Sequence, residues 1–92
     1  MHLVLCYDIV KTRRRSRLQK KLKGFLVPVQ KSVFEGHLPV KRYPDLRDLV
    51  RDTIQPAEDT VRIYHLCGGC VGLLELFGTS KSIATEPSDV VL

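Results

Sequence analysis

No acidic residue interrupts the segment Lys11–Lys23, which carries eight basic ones. A helix face of that composition cannot neutralise itself through i,i+4 pairs, so solvation alone explains it poorly and contact with a polyanion is expected. No apolar run approaches the ~20 residues a bilayer span requires, and no lipidation signal is present, so a membrane partner is not expected. The N-terminus Met1-His2-Leu3-Val4-Leu5-Cys6-Tyr7-Asp8 lacks a basic leader and a small-residue cleavage site, and its apolar stretch has the length of a strand. It does not read as a signal peptide. The three cysteines are an odd number, which argues against a secreted disulfide framework and fits a reducing cytoplasm. Internal repeats and low-complexity segments are also missing.

Ninety-two residues make one small domain, with apolar surface left over for a partner, so an oligomer is expected. The balance of 15 basic to 10 acidic residues is uneven along the chain. From Glu58 onward the acids Glu58, Asp59, Glu75, Glu86 and Asp89 outnumber Arg62 and Lys81. The positive field is thus concentrated near the N-terminus, as nucleic-acid contact requires.

Leu3, Leu5, Tyr7 and Ile9 alternate with Val4, Cys6, Asp8 and Val10, so the first strand is apolar on both faces and both should be covered. Helices could cover one and a second subunit the other. From Thr12 the period becomes helical: Leu18, Leu22 and Phe25 share a face, Arg13 and Lys20 lie nearly opposite, and Gly24 is placed to end the helix. Residues 26–36 read, by pattern, as one extended segment kinked at Pro28. Pro44 suits a first helical turn, and Leu46, Leu49, Val50 and Thr53 or Ile54 form a stripe ending before Pro56. Thr60–Cys67 alternates as a strand, and Gly68-Gly69 before the apolar run 71–77 suggests a hairpin to another. The loop-like tail ends in Val90-Val91-Leu92, an apolar triplet suited to completing the edge of another sheet.

Asp8 is the leading candidate for chemistry. A carboxylate buried in an apolar strand needs a partner, and Mg²⁺ or a guanidinium are the obvious ones. One carboxylate is a poor Mg²⁺ site, but a twofold dimer would bring two together. Arg13, Arg14, Arg15, Arg17, Lys20 and Lys23 are candidate phosphate ligands, giving contacts blind to base sequence and strongly salt-dependent. Tyr7 and Phe34 could stack on bases or pack in the core, and Tyr64 is expected in the core. Cys67-Gly-Gly-Cys70 has the spacing of half a zinc knuckle, but only Cys6, His2, His37 and His65 could complete it, and redox chemistry is expected still less of a pair between two strands than of one at a helix start; a pair of partly buried thiols in a turn is expected. Ser32, with no His or acid at a recognisable spacing, reads as a turn residue.

Tyr7-Asp8-Ile9, Arg13-Arg14-Arg15-Ser16-Arg17-Leu18 with Lys23-Gly24, Val29-Gln30-Lys31-Ser32-Val33-Phe34-Glu35-Gly36 and Asp59-Thr60-Val61-Arg62-Ile63-Tyr64 together resemble the second CRISPR-associated protein family, the small nuclease subunit of spacer acquisition. The resemblance runs through Asp89-Val90-Val91-Leu92. It implies an α+β, ferredoxin-like βαββαβ sandwich with two strands within residues 26–38. It also implies a homodimer of facing sheets, each completed by the partner's C-terminal strand. A nuclease domain would then occupy residues 1–78 and a dimer-completing tail residues 79–92. The family's metal-binding aspartate falls on Asp8, and Tyr7, Arg15, Arg17 and Phe34 match positions associated with nuclease activity. The implied activity is Mg²⁺-dependent cleavage of single-stranded RNA or double-stranded DNA, with Mn²⁺ a substitute, in CRISPR adaptation. The implied alternative is a non-catalytic adaptor that binds duplex DNA and bridges integrase dimers. Many relatives carry acids just after Tyr-Asp-Ile and an arginine two positions before the Gln; here those places hold Lys11, Thr12 and Pro28.

Overall fold

A computed structural model describes residues 1–73, 75, 77 and 78. The elements run β1 (His2–Asp8), α1 (Thr12–Leu22), β2 (Val27–Gln30), β3 (Val33–His37), a 3₁₀ turn (Val40–Arg42), α2 (Tyr43–Thr53), β4 (Thr60–Leu66) and α3 (Gly68–Gly72). Through β4 this is the βαββαβ order of a ferredoxin-like fold. The strands form one sheet in the order β2-β3-β1-β4, with every neighbouring pair antiparallel.

Parity along β1 decides what each residue meets. Leu3, Leu5 and Tyr7 face the helices and form one core with Leu18, Leu22, Leu26, Phe34, Leu38 and Leu46. Val4 and Cys6 lie on the other face and are half-buried, while Asp8 is exposed at the strand's end. Helices therefore cover one face of the sheet, as the alternation required. The other stays partly open in the single chain.

α1 presents Leu18 and Leu22, both fully buried, to the sheet. Its first turn holds no acid, and Lys11 at the N-cap makes no side-chain cap bond. Lys20 and Lys21 close the last turn, where positive charge suits the helix dipole. Gly24 follows the helix without a left-handed backbone, so its conformational freedom is not what stops α1. Arg42 instead secures the exit: it donates to the Gly24 carbonyl at 3.2 Å and stacks its guanidinium 4.5 Å above the Phe25 ring. α2 has Pro44 in its first turn, Leu46 fully buried, and Thr53 Oγ1 donating to the Leu49 carbonyl at 2.7 Å.

Three expectations from pattern are corrected. Residues 26–36 are not one kinked strand: β2 and β3 are separated by a turn in which Ser32 has φ of 66°, a conformation rare outside glycine. The Ser32 carbonyl accepts from the Tyr7 amide at 3.1 Å, which gives Ser32 the structural role its context suggested. After β4 the chain does not form a hairpin. It turns into the short helix α3, with Cys67 at the N-cap and its sulfur accepting from the Cys70 amide. Both thiols are exposed rather than partly buried. The tail strand proposed at Val90-Val91-Leu92, with the rest of residues 79–92, lies outside the described residues, as do Leu74 and Leu76.

Candidate active site

Where β1 ends and β4 begins, Cys6, Tyr7, Asp8, Thr60 and Arg62 line an open cavity of about 310 Å³. The antiparallel register assembles it, pairing Asp8 with Thr60 and Cys6 with Arg62. Asp8 is exposed, so burial cannot be the reason it needs a partner; the desolvation argument drawn from its apolar strand does not apply. Its carboxylate accepts no hydrogen bond and makes no ion pair among the described residues. The neighbouring Tyr64, with smaller help from Cys6, holds the Arg62 guanidinium above its ordinary pKa. Arg62 thus brings a permanent positive charge into a cavity whose acid is uncommitted.

The basic segment divides by what each side chain touches. Arg14 is taken by acids: its Nε donates to Asp59 Oδ2 at 2.8 Å, and Nη2 pairs with Glu58. Those hydrogen bonds, that to Asp59 first, raise its pKa. Asp59 also accepts from the amides of Val10 at 2.9 Å and Gln55 at 2.8 Å, and its carboxyl is lowered from its usual 3.8 to about 2, chiefly by Arg14. Arg14 as a phosphate ligand is therefore corrected to a structural tie. Arg15 donates to the carbonyls of Ile9, at 3.2 and 3.1 Å, and of Val10, at 3.4 Å, bracing the turn just after Asp8. Arg13, Arg17, Lys20 and Lys23 are exposed. Because Leu18 and Leu22 bury the opposite side of α1 against the sheet, this stripe points away from it. Asp8 opens on the sheet's other face. Sequence neighbours have become residents of opposite sides, and neither Arg15 nor Arg17 lines the Asp8 cavity.

The aromatics divide between the core and the open face. Phe34 is 2% exposed and Tyr7 7%, with ring centroids 6.3 Å apart in the core. The Tyr7 hydroxyl accepts from Gln19 Nε2 at 2.7 Å. Neither ring is open to a base in this chain, which corrects the stacking role considered for both. Tyr64, expected in the core, is 48% exposed on the open face, because it pairs with Val4 rather than with a core residue.

Residues 1–72 match the family model described as CRISPR associated protein Cas2. The chain belongs to the Cas2 family. It is 44% identical over 66 residues to the CRISPR-associated endoribonuclease Cas2 3 of Chloroflexus aurantiacus, a match spanning 72% of this chain and 71% of that one. With the CRISPR-associated endoribonuclease Cas2 of Thermus thermophilus it shares 38% over 91 residues, 99% of this chain and 97% of the relative. A solved Thermus thermophilus structure, titled as a hypothetical protein, superposes with a TM-score of 0.78 at 32% identity, covering 88% of this chain and 94% of that chain. The Streptococcus pyogenes Cas2 crystal structure shares the fold, with a TM-score of 0.74 at 23% identity over 85% of this chain and 100% of its own.

Within this Cas2-family chain Asp8 alone does not make a metal site. Among the described residues no three His, Cys, Asp or Glu side chains gather into a cation site. Hard cations such as Mg²⁺ accept carboxylate, phosphate and water oxygens together. An exposed carboxylate free of protein partners fits that donor set when a second acid or a phosphate supplies the rest. Arg62 is the site residue that sequence reasoning passed over. Its only signal was strand parity, two residues after Thr60, and parity becomes informative only once Cys6 is known to lie opposite.

Proposed function

We propose that this chain is a metal-dependent endonuclease of single-stranded RNA, double-stranded DNA or both, serving CRISPR adaptation as a homodimer in which two copies of Asp8 hold Mg²⁺ or Mn²⁺. The observation that carries the reading is the exposed Asp8 carboxylate, free of partners among the described residues, beside Arg62 in an open cavity. The relatives named as endoribonucleases support it. The partly open face of the sheet, with Val4 and Cys6 half-buried, supports a second copy as its cover. When bound, the ion supplies positive charge at the scissile phosphate and acidifies a coordinated water.

The chain's own residues do the rest. Arg62 orients and neutralises the phosphate at the cavity, as electrostatic stabilisation requires. Arg15 keeps the turn after Asp8 in place through the Ile9 and Val10 carbonyls, and so acts on the site by position. Tyr7 and Phe34 fix β1 from the core side. Arg17 and its exposed neighbours hold more distant phosphates. The partners that accompany this reading are the polynucleotide and the CRISPR integrase subunit, in the cytoplasm. No described helix is long and apolar enough to cross a membrane.

A second reading, a non-catalytic adaptor that binds duplex DNA between integrase dimers, is favoured by one observation. Arg13, Arg17, Lys20 and Lys23 lie across the sheet from Asp8, so polyanion binding does not need the cavity. The readings separate at Asp8. Asp8→Asn should abolish Mg²⁺-dependent cleavage while leaving duplex affinity intact, and Arg62→Gln should slow cleavage on the order of 100-fold. Wild-type protein that cuts neither RNA nor DNA with Mg²⁺ or Mn²⁺ across a range of pH would leave the adaptor.

A further inference from the structure

Cys67 and Cys70 are exposed, and their sulfurs lie 3.3 Å apart in S–H···S contact. A disulfide bond is about 2.05 Å long, so small side-chain rotations would close the gap. The pair stands at the surface where β4 passes into the last segment of the chain. Between the two thiols are Gly68 and Gly69: a Cβ on Gly68 would meet nothing within 4 Å, and one on Gly69 would meet only the Cys67 sulfur, at 3.8 Å. Neither intervening residue carries a side chain that could cover a sulfur. The chemistry proposed for nucleic acid uses neither thiol.

We propose that Cys67-Gly68-Gly69-Cys70 is a thiol–disulfide exchange site whose substrate is a low-molecular-weight disulfide. The two sulfurs have different environments. Cys67 Sγ accepts from the Cys70 amide at 3.4 Å, which stabilises a thiolate there; that bond, with the Cys70 thiol beside it, lowers the Cys67 pKa. Its neighbour raises that of Cys70. Cys67 is therefore the attacking sulfur and Cys70 the resolving one. The Cys67 thiolate attacks one sulfur of the small disulfide, forming a mixed disulfide and expelling one small thiolate. Cys70 gives its proton to solvent, and its sulfur attacks Cys67, forming the Cys67–Cys70 bond and expelling the second thiolate. Two protein thiols are oxidised, one disulfide is reduced to two thiols, and no other oxidant is required.

The test uses the full chain and oxidised glutathione, followed by alkylation and intact-mass measurement. Wild-type protein should lose two of its three alkylatable thiols without retaining glutathione, leaving Cys6. Cys70→Ser should stop at one glutathionyl group on Cys67, and Cys67→Ser should slow thiol loss at position 70 at least several-fold. Wild-type protein that retains glutathione at both sites, reacts first at Cys6, or links between copies on a non-reducing gel would overturn the proposal. Circular dichroism of both serine variants excludes unfolding as the source of any difference.

Discussion

The outward stripe of α1 sets a measurable electrostatic quantity. Of the segment's six exposed cations, Arg13, Arg17, Lys20 and Lys23 point away from the sheet, with Lys11 and Lys21 the other two, whereas Arg14 is held by Asp59 and Glu58 and Arg15 by the Ile9 and Val10 carbonyls. If each of the four outward cations neutralises one phosphate of duplex DNA, the slope of log affinity against log salt gains about 0.9 per contact, or roughly 3.6 for each copy of the chain. Between about 50 and 200 mM salt, a slope of that size weakens binding about 150-fold. Single strands release fewer counterions, and the same four contacts then give a slope of roughly 2.8 and a loss of about 50-fold. The perturbation is substitution of all four residues by Gln, read by fluorescence anisotropy over a salt series. The slope should fall by the amount belonging to whichever polynucleotide is bound. Arg17→Gln alone should lower it by about 0.9 on duplex DNA, and Arg14→Gln should lower thermal stability with little change in slope. A quadruple variant with the wild-type slope, or an Arg14→Gln slope change equal to that of Arg17→Gln, would refute this assignment.

Phe34→Ala should cost about 3–5 kcal/mol in a denaturant titration, the usual loss for a buried ring; a small cost with a large fall in nucleic-acid affinity would return Phe34 to a stacking role. The Asp59 carboxyl is depressed in the fold, so its contribution to stability is complete above the ordinary carboxylate range and fades as pH falls through about 2. Thermal melts between neutral and acidic pH should accordingly show an acid limb that is shallower in Asp59→Asn, starting from a lower neutral melting temperature. Ser32→Gly should stabilise the fold by about 1 kcal/mol by relieving the left-handed backbone, as chemical denaturation can measure.

Much of this architecture can be read from apolar spacing because the elements concerned bury a periodic face. Leu3, Leu5 and Tyr7 mark β1, Leu18 and Leu22 mark α1, and Leu46 with Thr53 marks α2. The break between β2 and β3 has no such mark in Lys31-Ser32, since neither residue type announces a left-handed turn. Gly68-Gly69 misleads in the opposite direction: it carries the composition of a hairpin turn, but the Cys67 sulfur caps a helical turn there. At the candidate site, Asp8 stands out from its apolar strand, while the fate of the neighbouring arginines depends on residues far along the chain. Arg14 meets Asp59 across 45 positions, a contact that no local pattern encodes. The core place of Tyr7 and the exposed place of Tyr64 follow from register, which sets one among leucines and the other opposite Val4.

The Asp59 carboxylate joins three separate stretches: the turn after β1, the start of α1 and the approach to β4. Two of those stretches run directly into the strand ends that line the cavity, yet none contributes the atoms proposed to act in it. In a screen for inactive variants, changes at Asp59 or Arg14 would score as hits alongside Asp8, although their defect would be one of carpentry. Activity regained on cooling or with a compensating repair of the charge pair would separate such frame variants from those that have lost the reacting group itself.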